Sequence, residues 1–212
     1  MTAGPTYEPL DGVRRLTNFS TGRLGTELTN FLIGRGHEVI LLLGEQATYR
    51  EAKNAEFFKT TSDLKEKLRA LADQSVNAVF HVAAVSDFSF GKIWARSAQG
   101  ELKELKEGKI SSREGTLLAE LLPTPKIIAE LRQWFPVARL VGWKYEVDGI
   151  REDAVRQAEK QLGICLTDAC VVNGPAYGEG FGLVQGGGEY THLEDNGALF
   201  EELEKFIRRE EF

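Results

Sequence analysis

The chain has 212 residues, 42% hydrophobic and 27% charged, with 22 glycines against 6 prolines, which suffices for one domain with a proper core and excludes a disordered, collagen-like or disulfide-stapled polypeptide. Twenty-six Lys and Arg against 32 Asp and Glu leave a formal net charge of −6. No global field therefore draws the protein to nucleic acid or an anionic membrane, and a phosphate-bearing ligand must be held by local groups.

From Thr21 onward, apolar groups at Leu24, Leu28, Phe31 and Leu32 mark a helical face with Thr21 as N-cap, ending at Gly34-Arg35-Gly36. His37–Leu43 then reads as a strand buried on both faces of a parallel sheet. Glu56-Phe57-Phe58-Lys59 fits a short third-layer strand, and Ser62-Asp63 opens a helix with Leu64, Leu68 and Leu71 on one side. Ala78–Ala84 is a further buried strand ending in small residues that let a ligand approach the backbone. Between Gly91 and Leu121 charges mix with weak alternation, which predicts an inserted β-arm outside the main sheet. Order returns with Pro125 at a helix N1 position, a strand over Arg139–Trp143, a helix over Glu152–Leu162 and a strand over Ala169–Val172. A hairpin around Gly186-Gly187-Gly188 and a helix over Ala198–Arg208 close the chain.

Strand and helix thus alternate at βαβ spacing on both sides of one insertion. The expected fold is an α/β, doubly wound, Rossmann-like parallel sheet forming one domain over residues 1–212, with an arm at about 91–121 and a C-terminal hairpin plus helix. Its first strand is short: the glycine turn starts at Gly4 and leaves only Met1-Thr2-Ala3 before it. Apolar runs such as Val39–Leu43 fall far short of the ~20 residues that span a bilayer, and no basic-then-apolar leader opens the chain. A cytoplasmic protein with no membrane partner is expected. Cys165 and Cys170 have neither zinc-finger nor redox-pair spacing and read as buried thiols.

Open α/β sheets bind ligands beyond the carboxyl ends of their strands, and four segments occupy such places. The first runs from Thr2-Ala3-Gly4-Pro5-Thr6 to Asn18-Phe19-Ser20-Thr21-Gly22, with Ser20, Thr21 and Gly22 at a helix head, where free N–H groups favour phosphate or carboxylate. The others are Ala83–Phe88, Lys109-Ile110-Ser111-Ser112 and Pro123–Ile128. A nicotinamide-dependent reductase competes for the same residues: Gly22-x-x-Gly25 is half a dinucleotide fingerprint, Glu45 follows some twenty residues later, and Tyr49-x-x-x-Lys53 imitates a reductase pair. That pair follows the wrong strand, and no serine precedes it in the expected place.

Taken together, T-A-G-P-T-x-E-P-L-D-x-V-R, N-x-S-T-G-x-x-G, A-A-V-S-D-F, K-I-S-S, T-P-K-I-I, V-G-W and D-x-x-V-V-N resemble, in order and over nearly the whole chain, the phosphopantothenoylcysteine synthetase family. The wording is similar to the free-standing form, without a flavin-dependent decarboxylase, so no flavin is expected. The resemblance implies that the carboxylate of 4′-phosphopantothenate attacks the α-phosphate of CTP or ATP, with Mg²⁺ on the triphosphate, and that cysteine then displaces the nucleotide. Such chemistry asks for positioning and charge neutralisation rather than a covalent nucleophile.

Carried over by motif, Asn18 assists aminolysis, Arg14 orients a substrate anion and Lys109 neutralises the triphosphate. Gly4, Thr6, Ser20, Thr21, Gly22, His81, Val82, Ala83 and Asp87 lie along the nucleotide, Pro125, Lys126, Ile127 and Ile128 meet its base, and Trp143 takes the aromatic position. No residue is assigned to metal. Read without the family, Asn18 and Asp87 equally fit turns, Arg14 and Lys109 solvated charges, and Trp143 core. Where many family members carry two lysines before Asp168, this chain has Gln161 and Cys165, with Lys160 the only nearby cation. The choice of nucleotide stays open, as does a non-catalytic relative that keeps the pocket without ligating. The insertion between Asp87 and Lys109 falls near the family's dimer arm, implying a homodimer in which the arm closes the partner's site.

Overall fold

Short apolar strands separated by amphipathic helices have one economical solution, a sheet covered on both faces, and the chain adopts it. The structure, a computed structural model, describes residues 1–208 apart from Lys53, Glu107, Ser112 and Glu114. In chain order its first half comprises β1 (Thr2–Ala3), β2 (Tyr7–Pro9), β3 (Arg15–Thr17), α1 (Arg23–Gly34), β4 (Leu42–Gly44), β5 (Glu56–Phe58), α2 (Thr61–Ala70) and β6 (Ala78–Phe80). There follow β7 (Phe88–Arg96), β8 (Leu102–Leu105), β9 (Thr116–Pro123), α3 (Ile127–Trp134), β10 (Arg139–Tyr145), α4 (Arg151–Cys165), β11 (Ala169–Asn173), β12 (Phe181–Gly186), β13 (Glu189–Leu193) and α5 (Asn196–Arg208).

The two-residue β1 sits at the centre. Thr2 and Ala3 pair in parallel with Leu42 and Leu43, while on the other edge Thr2 bridges His81 and Pro5 bridges Ala84, also in parallel. The sheet therefore runs β5-β4-β1-β6-β10-β11-β12-β13, parallel as far as β11 and antiparallel through the closing hairpin. Strand order reverses between β1 and β6, the place where doubly wound sheets open a crevice.

Alternating side chains serve the two faces. Phe80, Val141 and Val171 pack under Leu28 and Leu32 of α1 and Leu199, Leu203 and Phe206 of α5. Val79 and Leu140 meet Leu64 and Leu68 of α2 and Ile127 and Leu131 of α3, and Cys170 and Val172 lie beneath Ala154, Val155 and Ala158 of α4. Each fully buried leucine or isoleucine of this kind contributes roughly 1.5–3 kcal/mol. Among the described residues no helix is long and apolar enough to cross a membrane.

Several boundaries differ from the sequence-based expectation. The strand expected over His37–Leu43 is confined to Leu42–Gly44, because β1 offers partners only to Leu42 and Leu43. Glu56–Phe58 is not a third layer but the edge of the main sheet, paired with β4. Thr21 is not the cap of α1: Gly22 is, with φ 79° and no side-chain cap bond, a left-handed conformation that glycine adopts without strain. Pro125 lies outside α3, since the non-helical Lys126 (φ −82°, ψ 87°) forms the cap. The inserted arm begins at Phe88 and ends at Pro123 as an antiparallel sheet in the order β8-β7-β9. It carries its own small core of Ile93, Ala95, Leu105 and Ile110.

Candidate functional site

The carboxyl ends of β6 and β10, the loop from His81 to Asp87 and the head of α3 enclose a cleft of about 130 Å³. Its lining is His81, Ala83, Val85, Ser86, Asp87, Thr124, Pro125, Lys126, Ile127, Ile128, Trp143 and Gln161. Eight residues singled out from the sequence thus converge on one cavity: His81, Ala83, Asp87, Pro125, Lys126, Ile127, Ile128 and Trp143.

The walls are fixed by backbone-directed hydrogen bonds. The Ser86 amide donates to Thr6 Oγ1 at 2.8 Å, Thr124 Oγ1 donates to the Ser86 carbonyl at 2.5 Å, and the Thr124 amide donates to the Asp87 carbonyl at 3.0 Å. Thr6 is therefore buried and committed to holding the loop. Gly4 (φ 78°) receives the Ala84 amide at 3.0 Å, and the Val82 amide donates to the Thr2 carbonyl at 3.2 Å. These two ladder bonds continue the short central strand into the site. Val82 itself packs towards the α1 face of the core.

Charge and donors gather at one end of the cleft. Lys126 Nζ pairs with Asp87 Oδ1, and both side chains remain about two-thirds exposed at 67% and 64%, so the pair is open to a ligand. Lys126 makes no side-chain cap bond at the head of α3, leaving the positive end of that helix facing the same region. The indole N–H of Trp143 is sealed from solvent and has no hydrogen-bond partner among the described residues. Leaving such a donor unpaired costs about 1–3 kcal/mol. Gln161 Nε2 contacts Cys170 Sγ at 3.2 Å. Burial pushes the Cys170 thiol up to about 12 and raises that of Cys165, so both free cysteines are inert thiols.

A second cluster flanks the cleft at the head of α1. Asn18 Nδ2 donates to the Ala84 carbonyl at 3.0 Å, and Thr17 Oγ1 donates to the Thr6 carbonyl at 2.9 Å. Ser20, Thr21 and Gly22 lead into the uncapped helix, with the Arg23 amide on Thr21 Oγ1 at 3.3 Å. Close packing sets this helix down on the central strand: a Cβ at Gly25 would lie 2.6 Å from Ala3 Cβ.

Three of the sequence-selected cations lie elsewhere. Arg14 is engaged at the base of the arm: Nε donates to Asp11 Oδ2 at 3.0 Å, and Nη2 donates to the same carboxylate and, at 2.6 Å, to the Ile110 carbonyl. The Arg14 guanidinium, helped by the Val13 amide, holds the Asp11 carboxyl well below the usual carboxylate range. Lys109 is exposed on the neighbouring loop, which is tied to the same turn by Gly12 N to Gly108 O at 2.7 Å; it does not line this chain's cleft. Ser112 of the same motif lies outside the described residues. Lys160 points off the cleft on the exposed side of α4, and Gln161 takes the wall position instead. The reductase-like pair has no reductase setting: Tyr49 donates to Glu51 Oε2 at 3.1 Å and burial raises its pKa, whereas Lys53 lies outside the described residues. Among the described residues no group of three or more His, Cys, Asp or Glu side chains could hold a metal ion.

The sequence profile of the DNA/pantothenate metabolism flavoprotein C-terminal domain family matches residues 1–205, and the chain belongs to that family. It is 31% identical over 174 residues to the coenzyme A biosynthesis bifunctional protein CoaBC of Thermococcus kodakarensis, covering 82% of this chain and 40% of that protein. To the CoaBC protein of Bacillus subtilis it is 30% identical over 187 residues, covering 87% and 43%. The chain thus spans about two-fifths of these curated relatives. The crystal structure of the DNA/pantothenate metabolism flavoprotein from Streptococcus pneumoniae superposes with a TM-score of 0.84 at 28% identity, covering 98% of this chain and 96% of that one.

Proposed function

We propose that this member of the DNA/pantothenate metabolism flavoprotein C-terminal domain family is a phosphopantothenate–cysteine ligase of coenzyme A biosynthesis that uses CTP or ATP. The observation that carries the reading is the convergence of His81, Ala83, Asp87, Pro125–Ile128 and Trp143 on one cleft at the carboxyl ends of β6 and β10, next to the reversal of strand order between β1 and β6. The printed names of the relatives, coenzyme A biosynthesis bifunctional proteins, point the same way.

In this reading the nucleotide occupies the cleft, its base against the Pro125–Ile128 backbone and Trp143. The head of α1 at Ser20-Thr21-Gly22, with no side-chain cap bond, faces the phosphates, where fixed donors neutralise charge without reorganising. Mg²⁺, carried by the triphosphate, would supply further charge neutralisation there. A wall with Asp87 as its one carboxylate suits a metal carried mainly by phosphate and water oxygens. A carboxylate oxygen of 4′-phosphopantothenate bonds to the α-phosphorus, the bond to the β-phosphate oxygen breaks, and pyrophosphate leaves with that electron pair. The cysteine amine then attacks the acyl carbon, loses a proton and expels the nucleoside monophosphate.

Asn18, anchored through one amide hydrogen to Ala84, keeps its other N–H and its carbonyl oxygen for the acyl intermediate and the incoming amine. The exposed apolar side chains Leu118 and Leu122 on one face of the arm form a dimer surface, and Lys109 reaches the triphosphate in the partner's cleft.

Pyrophosphate release from the purified protein with 4′-phosphopantothenate, cysteine and Mg²⁺, run in parallel with CTP and ATP, tests the reading. Release that depends on phosphopantothenate supports the ligase and names its nucleotide. Silence with both, from a folded protein, leaves a ligand-binding relative that does not ligate.

A further inference from the structure

His81 is the buried polar side chain on the cleft wall whose two ring nitrogens meet different surroundings. On one side, Nδ1 lies 3.0 Å from Thr2 Oγ1. Thr2 is fully buried, and its hydroxyl oxygen already accepts the Ala83 amide at 3.2 Å. A hydroxyl has one hydrogen to give. If Nδ1 carried the imidazole proton and donated it, the Thr2 hydrogen would be left in a sealed site with no acceptor among the described residues. If Nδ1 is instead the lone-pair nitrogen, Thr2 donates to it and every hydrogen is used. Stranding a buried donor is the costlier arrangement. On the other side, Nε2 has no hydrogen bond among the described residues, nor is it one of the sealed unpartnered atoms, which are Thr26 Oγ1, Trp143 Nε1, Thr167 Oγ1 and Asn173 Oδ1. It therefore keeps access to the cleft that His81 lines.

We propose that Thr2 is a positioning residue: its hydroxyl locks His81 in the Nε2–H tautomer, so that the cleft presents a neutral N–H donor to an acceptor oxygen of its ligand. Two chain segments far apart in sequence are thereby joined at the crossing point of the sheet, and the donor's direction is set by the strand bridge between Thr2 and His81. Burial also lowers the His81 pKa to about 4, so the ring stays neutral at physiological pH and the donor is an imidazole rather than an imidazolium. The ligand's identity as a nucleotide rests on the function proposed above; the tautomer does not.

Long-range ¹H–¹⁵N spectra of the full chain at pH 7 read the tautomer directly, with His81→Gln assigning its signals among the three histidines. The wild type and Thr2→Ser should show Nε2 protonated and Nδ1 unprotonated. Thr2→Val, which keeps the shape and removes the hydroxyl, should lose the single tautomer and weaken CTP or ATP binding about fivefold, as for one neutral hydrogen bond, with KM moving more than kcat. A wild-type spectrum with Nδ1 protonated overturns the proposal. So does a Thr2→Val protein with unchanged tautomer, or with changed tautomer and unchanged binding. If Thr2→Val does not fold, the wild-type and Thr2→Ser spectra still decide the tautomer. Failure of both nucleotides to bind the wild type would sink the nucleotide reading while leaving the spectra to judge Thr2.

Discussion

The side-chain amide of Asn18 donates to the carbonyl oxygen of Ala84 across 3.0 Å, joining the loop that leads into α1 to the strand end that forms the cleft wall. The bond fixes one face of the amide and leaves the other towards the site. Asn18→Ala should lower amide product formation on the order of a hundredfold or more, the scale seen when one preorganised donor is removed, while an acyl-nucleotidylate accumulates in quenched reactions. Turnover equal to wild type would remove Asn18 from the mechanism.

Gly25 lets α1 rest on β1, and an added Cβ would come within 2.6 Å of Ala3 Cβ. Neither side can yield, because Ala3 is fully buried at the centre of the sheet. Gly25→Ala should therefore destabilise by about 1–3 kcal/mol despite alanine's better helix propensity. Thermal and denaturant unfolding check this; an unchanged midpoint would show that the helix seats less tightly than the distance implies.

Acid stability carries the signature of His81. Burial lowers its pKa from 6.5 to about 4, so as pH falls the unfolded chain takes up the proton first. Stability from this group is intact above pH 6.5 and drains between 6.5 and 4, by up to about 3 kcal/mol. The stability curve of His81→Gln should be flatter than wild type across that window, as measured by denaturant titration at stepped pH. Parallel curves would mean that the imidazole is not held neutral.

Leu118 and Leu122, exposed at 38% and 44%, lie on one face of β9, an apolar pair that marks this face of the arm as a contact surface. Light scattering should find a dimer for the wild type and a monomer for the Leu118→Asp, Leu122→Asp double variant, whose cleft still folds. Lys109→Ala should weaken nucleotide binding only where the dimer forms. A monomeric wild type with full activity would contradict the shared-site arrangement.

Much of this organisation is legible in the amino-acid order because its causes are local. Ala78–Phe80 and Ala169–Val172 are continuous apolar runs within their strands, and α1 and α5 repeat apolar residues at helical spacing. The strand at His37–Leu43 reads too long because its length depends on a partner, the two-residue β1. Side-chain commitments across long sequence separations are equally hidden: Arg14 looks like a free anion binder until Ile110, 96 residues on, is seen accepting from it. Thr6 looks like a ligand contact until its hydroxyl is found under Ser86. Gln161 was recoverable, since the buried stripe of α4 through Ala154, Val155, Ala158 and Cys165 passes through position 161 at helical spacing and misses 160.

The account stands or falls on where the substrate's carboxylate oxygen goes. Incubating the protein with 4′-phosphopantothenate carrying ¹⁸O in its carboxylate, cysteine, Mg²⁺ and either CTP or ATP, and weighing the nucleotide and thiol products by mass spectrometry, follows that atom. The account predicts an amide with cysteine and a nucleoside monophosphate bearing one ¹⁸O. Absence of amide product from folded protein with both nucleotides, or ¹⁸O in inorganic phosphate instead, would contradict it.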